Sequence, residues 1–185
     1  MEIVSQIING SQGEIILREK SNQPVELGEI LIAEDGENKM LLQVYDLQYG
    51  SQLDNKRIEL ASGLSIEENW ESLQFYDPEL RNYVLVKAKA LAQMKKSDNT
   101  ISVPKRLPKH FSMVRRFADE DKEFIAKQDN PLFLGNLRSG SRDLGIKVHI
   151  NGSEALSHHV LVAATTGRGK SNFLKVMLWD AMDKS

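Results

Sequence analysis

The sequence predicts a mainly β fold: a small amino-terminal β-barrel followed by an incomplete α/β segment built around a glycine-rich loop. Three observations carry that prediction. Residues 3–92 are short apolar runs divided by Gly, Asn, Asp and Ser, with little helical periodicity. Within Tyr83 to Ala92, Val84, Val86, Ala88 and Ala90 share one face while Lys87 and Lys89 share the other, which is the alternation of a strand, although the Ala and Lys content leaves a helix open. Near the carboxyl end a short apolar run, a glycine-rich turn and a helix-length apolar run follow one another.

Taken in order, Glu14 to Leu17, Val25 to Ala33, Lys39 to Leu47 and Tyr83 to Ala92 each have strand length. Asp35-Gly36 supplies a turn where positive φ is cheap, so Val25 to Tyr49 reads as a hairpin. Several short strands at this spacing favour a closed barrel, since closure removes edges that invite aggregation. A helix is expected over Ser65 to Gln74, capped by Ser65, with Glu67 and Glu68 in its first turn and Trp70 and Leu73 facing the barrel. After Ala92 the polar residues Lys95 to Asn99 and then Pro104 and Pro108 break the pattern. The domain limits expected from this are 1–100 for the barrel, 101–130 for a connector that is first basic and then acidic, and 131–185 for the carboxyl-terminal segment. Ala118 to Gln128 suits a solvated helix, stopped by Asn130-Pro131.

Bulk properties narrow the function. With 185 residues, 41% hydrophobic and 27% charged, the chain falls in the ordinary globular range. Lys and Arg number 24 against 26 Asp and Glu, so a net charge of −2 gives no global attraction to a polyanion, and any nucleic-acid contact must be local. Absence of cysteine removes disulfides and thiolate metal sites. The amino terminus is neither a signal peptide nor a presequence, and no run approaches the roughly 20 apolar residues that span a bilayer, so a cytoplasmic location without membrane contact is expected.

The chemistry resides in Ala164 to Ser171, which has the Walker A spacing if Ala164 takes the first, usually Gly, position. Gly167 and Gly169 let the backbone turn so that successive N–H groups converge on a phosphate. Lys170 would set its ammonium between β- and γ-phosphates, the catalytic role, and Ser171 would offer its hydroxyl to Mg²⁺. The following helix points its positive end at the same anion. Val160 to Ala163 is expected as the buried strand before the loop. Phe173 to Met182 is expected as a helix covered on several sides. Thr166, Gly167, Arg168, Gly169, Lys170, Ser171 and Asn172 form the candidate ATP site; for Arg168 a phosphate contact and a solvated side chain both stay open.

Two stretches resemble the HerA family of the FtsK and HerA group of motor ATPases. One runs from Leu132 to Asn172 through Phe133-Leu134-Gly135, Ile146-Lys147-Val148, His159 to Val162 and Thr166 to Asn172. The other, Val25 to Leu47, is similar to the hairpin of the small barrel (HAS-barrel) that HerA proteins share with ATP synthase subunits. Ala164 departs from the family's usual Gly. The resemblance implies a RecA-like motor domain and a homo-hexameric ring that couples ATP hydrolysis to translocation on DNA. It also implies work with a NurA-like nuclease in DNA end processing and repair, with the barrel organising the ring face and nuclease docking. The Walker B acids and the trans-acting arginine are expected beyond Ser185, so hydrolysis is expected of the complete protein rather than of this portion. Two other readings stay open: an oligomerisation or nuclease-docking module without catalysis, and another phosphate-loop motor of conjugation or secretion type.

Lys105, Arg106, Lys109, Arg115 and Arg116, with Phe111 among them, stand without an acid and are a candidate DNA contact. Asp119, Glu120, Asp121 and Glu123 follow at once, so a charge match within or between subunits explains the run equally well. His158-His159 has no third ligand at metal spacing and reads as the start of a strand.

Overall fold

The computed structural model describes residues 2–67, 82–125 and 127–183 and divides the chain into two compact units, Met1–Ala118 and Asp119–Ser185. The first is built on β1 (Ile3–Ser11), β2 (Glu14–Glu19), β3 (Ile30–Asp35), β4 (Asn38–Ser51), α1 (Asn55–Ile66), β5 (Asn82–Lys95), β6 (Ile101–Ser102) and β7 (Met113–Arg116). The strands run in the order β2-β1-β7-β3-β4-β5-β6, and a further pairing of β2 with β5 closes six of them into a barrel. Every pairing is antiparallel. The fold is mainly β, as the sequence predicts.

Alternation explains what fills the barrel. Each of the six closing strands contributes at least one wholly buried aliphatic side chain, among them Val4, Leu17, Leu31, Leu42, Val86 and Val114. Such side chains supply the driving force, at about 25 cal/mol per Å² of apolar surface removed from water. On β5, Val84, Val86, Ala88 and Ala90 all face this core, in line with the alternation read from the sequence. The β3–β4 hairpin pairs Asp35 with Asn38 around a turn of Gly36 and Glu37, with Gly36 at a φ of +55°.

Two local expectations are corrected within this unit. α1 starts at Asn55 because Asp54, in extended backbone, accepts a hydrogen bond from the Arg57 N–H at 3.0 Å. Ser65 therefore lies in the last turn instead of capping a first one, and Glu67 is the C-cap, its N–H donating to the Gly63 and Ser65 carbonyls. Glu68, Trp70 and Leu73, expected on the same helix, lie outside the described residues. The second correction concerns the proline-rich stretch after residue 100, which returns to the barrel: β7 pairs with both β1 and β3. Local propensity does not reveal a four-residue strand whose partners are so distant in sequence.

The second unit consists of a 3₁₀ turn (Asp119–Phe124), the antiparallel pair β8 (Pro131–Ser139) and β9 (Arg142–Asn151), a short helix α2 (Gly152–Ser157) and α3 (Lys170–Asp183). The helix expected over 118–128 is thus only a 3₁₀ turn, closed by Ile125 N–H donating to Lys122 O at 2.9 Å. Its sequence offers no apolar stripe that would repay a longer helix. Val160 to Ala163 is not a strand, for no pairing partner stands beside it among the described residues, and Leu161 is almost fully exposed. α3 forms where expected, but among its described residues Met177 alone is buried; Leu178, Trp179 and Met182 face outward. Among the described residues no helix is long and apolar enough to cross a membrane.

Candidate nucleotide-binding loop

The loop residues meet in one tight turn before α3. Gly167 and Gly169 adopt φ of +82° and +80°, the left-handed region that an L side chain occupies at a cost of about 1–2 kcal/mol. No atom lies within 4 Å of where a Cβ on either glycine would stand, so the requirement is conformational and not steric. Arg168, between them, donates its N–H to Thr165 O at 3.3 Å. The first helical bond follows, from Phe173 N–H to Gly169 O at 2.9 Å. The amides of Lys170, Ser171 and Asn172 therefore precede any intrahelical acceptor, and they sit at the positive end of the helix dipole.

Thr166, Arg168, Lys170, Ser171 and Asn172 are all exposed. The first turn of α3 carries no acid, and Lys170 has no ion-pair partner among the described residues. Free amides, a helix amino terminus and an unneutralised ammonium are chemically suited to an anion such as a polyphosphate. A hydroxyl such as that of Ser171 is a hard oxygen donor of the kind Mg²⁺ takes.

What holds α3 in place is a contact that sequence pattern does not disclose. Asp180 Oδ2 accepts the Phe133 N–H at 2.8 Å, tying the first part of β8 to the helix. A carboxylate one residue from Trp179 on a mainly apolar helix carries no signature of this role. At the same open end of the hairpin, where it pairs with Pro131, Asn151 caps α2 by accepting the Glu154 N–H at 3.2 Å. His158 lies at the C-cap of α2, with Nδ1 at 2.9 Å from Ser157 Oγ and 3.0 Å from Glu154 O. It is a helix-end residue and does not start a strand. Among the described residues no group of three or more His, Asp or Glu is placed to hold a metal ion.

The basic run in the barrel unit divides in two. Arg115 and Arg116 turn inward to carboxylates: Arg115 Nε lies 3.0 Å from Glu34 Oε1, and Arg116 Nε 2.8 Å from the buried Glu29 Oε1. Arg116 also donates to Gln23 Oε1 at 3.1 Å and to Pro24 O at 2.7 Å. These two arginines serve the fold and are removed from the candidate DNA contact. Lys105 and Arg106 are exposed, and Lys109 pairs with Asp35 at 3.1 Å while remaining largely in solvent.

Two similarities to known proteins bear on this loop and the hairpin before it. The family described as "Helicase HerA, central domain" matches residues 132–185. The "DNA double-strand break repair helicase HerA" of Saccharolobus solfataricus is 26% identical over 167 residues, covering 90% of this chain. The chain spans about 30% of that relative's length.

Proposed function

We propose that this chain, which is similar to the HerA central domain over residues 132–185 and to a HerA helicase, is part of an ATP-driven DNA translocase or helicase acting in DNA end processing in the cytoplasm. The observation that carries this reading is the turn from Thr166 to Asn172, with two left-handed glycines before a helix whose first turn holds Lys170 and Ser171. In this reading the main-chain amides of Thr166, Gly167, Gly169, Lys170, Ser171 and Asn172 hold the phosphates of ATP, with the Arg168 side chain beside them, and the Lys170 ammonium neutralises charge between the β- and γ-phosphates. Ser171 supplies an oxygen to Mg²⁺, which when bound lowers the cost of charge on the transferred phosphoryl group. Lys170 moves no proton; its contribution is positioned charge, worth most where water is excluded.

DNA as substrate is supported by the printed name of the relative, a DNA repair helicase. A ring of six subunits and a NurA-like nuclease as partner belong to the same proposal, with the motor portion starting at 131 and the HAS-like barrel organising the ring face and the docking surface. The test is a titration of the 185-residue chain with a fluorescent ATP analogue and Mg²⁺. Lys170→Ala is expected to weaken binding by at least roughly tenfold, and in the complete protein to abolish ATPase activity and strand separation. Equal binding by wild type and variant would overturn the assignment.

A further inference from the structure

Phe111 adopts a φ of +65°, a left-handed conformation that a bulky residue takes up only under constraint. The constraint is visible. Its N–H donates to Ile7 O at 2.8 Å, its carbonyl accepts from Gln6 Nε2 at 3.0 Å, and Ile7 N–H donates to Ser112 O at 3.1 Å. This held backbone leaves the residue 67% exposed, its ring tilted 53° to the His110 ring with centroids 6.1 Å apart. A large aromatic side chain kept in strained backbone and turned to water contributes little to the core. Outliers of this kind concentrate at binding surfaces.

Within the segment itself the charge has one sign, Asp35 of β3 being the acid that meets it. Between Asp98 and Asp119 the sequence contains no acid, and with Arg115 and Arg116 committed to Glu34 and Glu29 the cations left are Lys105, Arg106 and Lys109. Lys105 and Arg106 have no ion-pair partner among the described residues, and the Lys109 side chain is 80% exposed beside Asp35. A cleft of about 310 Å³ adjoins the segment, lined by Ile7, Gly10, Ile15, Leu107, Lys109 and His110 among others.

We propose that the 105–111 segment of the barrel binds single-stranded nucleic acid, with a base stacked on Phe111 and backbone phosphates on Lys105, Arg106 and Lys109. Stacking on an exposed ring needs the free face of a base, which a duplex hides, and cations on flexible stems follow a phosphate backbone without reading sequence. The site lies in the barrel unit and does not rest on nucleotide binding at Lys170.

Fluorescence anisotropy of a labelled oligothymidylate with the 185-residue chain, in the absence of nucleotide, tests it, so this result and the ATP titration can fail separately. Phe111→Gly is the informative variant because glycine relieves the positive φ: its melting temperature is expected to hold or rise, while affinity falls roughly tenfold. Phe111→Trp should keep the affinity. Replacing Lys105 and Arg106 together by Ala should make the slope of log affinity against log salt shallower by about 1.4, from two phosphate contacts at about 0.7 each. Unchanged binding by Phe111→Gly overturns the proposal. Equal affinity for a duplex of the same length, or equally tight binding of a polyglutamate peptide, overturns it as well.

Discussion

Leu17 of β2 stands directly opposite Val86 of β5 across the seam that closes the barrel, and neither side chain reaches solvent. Without this pairing the six strands form an open sheet with two edges. Leu17→Ala is expected to lower stability by about 2–5 kcal/mol, since the cavity forms where closed strands cannot collapse inward. Urea denaturation followed by circular dichroism measures it. A loss near zero would mean that the seam is not packed as described.

Arg116 is the corresponding polar anchor. It reaches from β7 to Glu29, Gln23 and Pro24, and the Glu29 carboxylate is almost wholly buried. Arg116→Ala strands that charge and should cost about 3 kcal/mol. Arg116→Lys should recover only part, because an ammonium cannot reproduce the guanidinium fork. Thermal unfolding of the two variants provides the comparison, and losses below about 1 kcal/mol for Arg116→Ala would match an ordinary surface pair instead.

Acid should weaken the barrel partly through Glu34. The hydrogen bond from Lys96 at 2.9 Å, with a second from Arg115 at 3.0 Å, holds its carboxyl below the ordinary carboxylate range against an opposing push from burial. A carboxyl whose folded pKa is depressed contributes stability above its unfolded pKa and loses it as pH falls through the folded one. Glu34→Gln should therefore be less stable than wild type at neutral pH, with the difference shrinking as the solution is acidified. Parallel pH titrations of denaturation midpoints check this; a gap that widens in acid contradicts it.

Gly169 offers a separate test of the proposed phosphate loop. At a φ of +80° a Cβ meets no neighbour, so Gly169→Ala acts through backbone conformation alone. With a penalty of about 1–2 kcal/mol for an L residue in that region, affinity for the ATP analogue should fall on the order of tenfold. The barrel's melting transition should not move. Unaltered affinity would separate this turn from the nucleotide.

The hairpin around Asp35-Gly36 and the strand from Tyr83 were legible because both rest on local signals, a Gly turn and two-residue alternation, although the first strand of the hairpin starts at Ile30 and not at Val25. The turn at Gly167 and Gly169 and the helix that follows it could be read for the same reason, being contiguous. β7 was not legible: Met113–Arg116 becomes a strand only because β1 and β3 offer their edges, and nothing within four residues encodes that. The roles of Arg115 and Arg116 were hidden likewise, since Glu34 and Glu29 lie far upstream. At Val160 to Ala163 the pattern of a buried strand is present in the chain, while the described structure shows no neighbour to pair with it.

The position of β7 between β1 and β3 also sets when the barrel can exist. Val114 must find Ser5 and Ala33, residues made long before it during synthesis, so native pairing waits on closure of loops that span most of the unit. Such long-range contacts slow folding, and the nascent chain presents two unsatisfied edges until Arg116 has emerged. A ribosome pausing near Asn99 would therefore hold out a half-made cylinder, the species most in need of a chaperone.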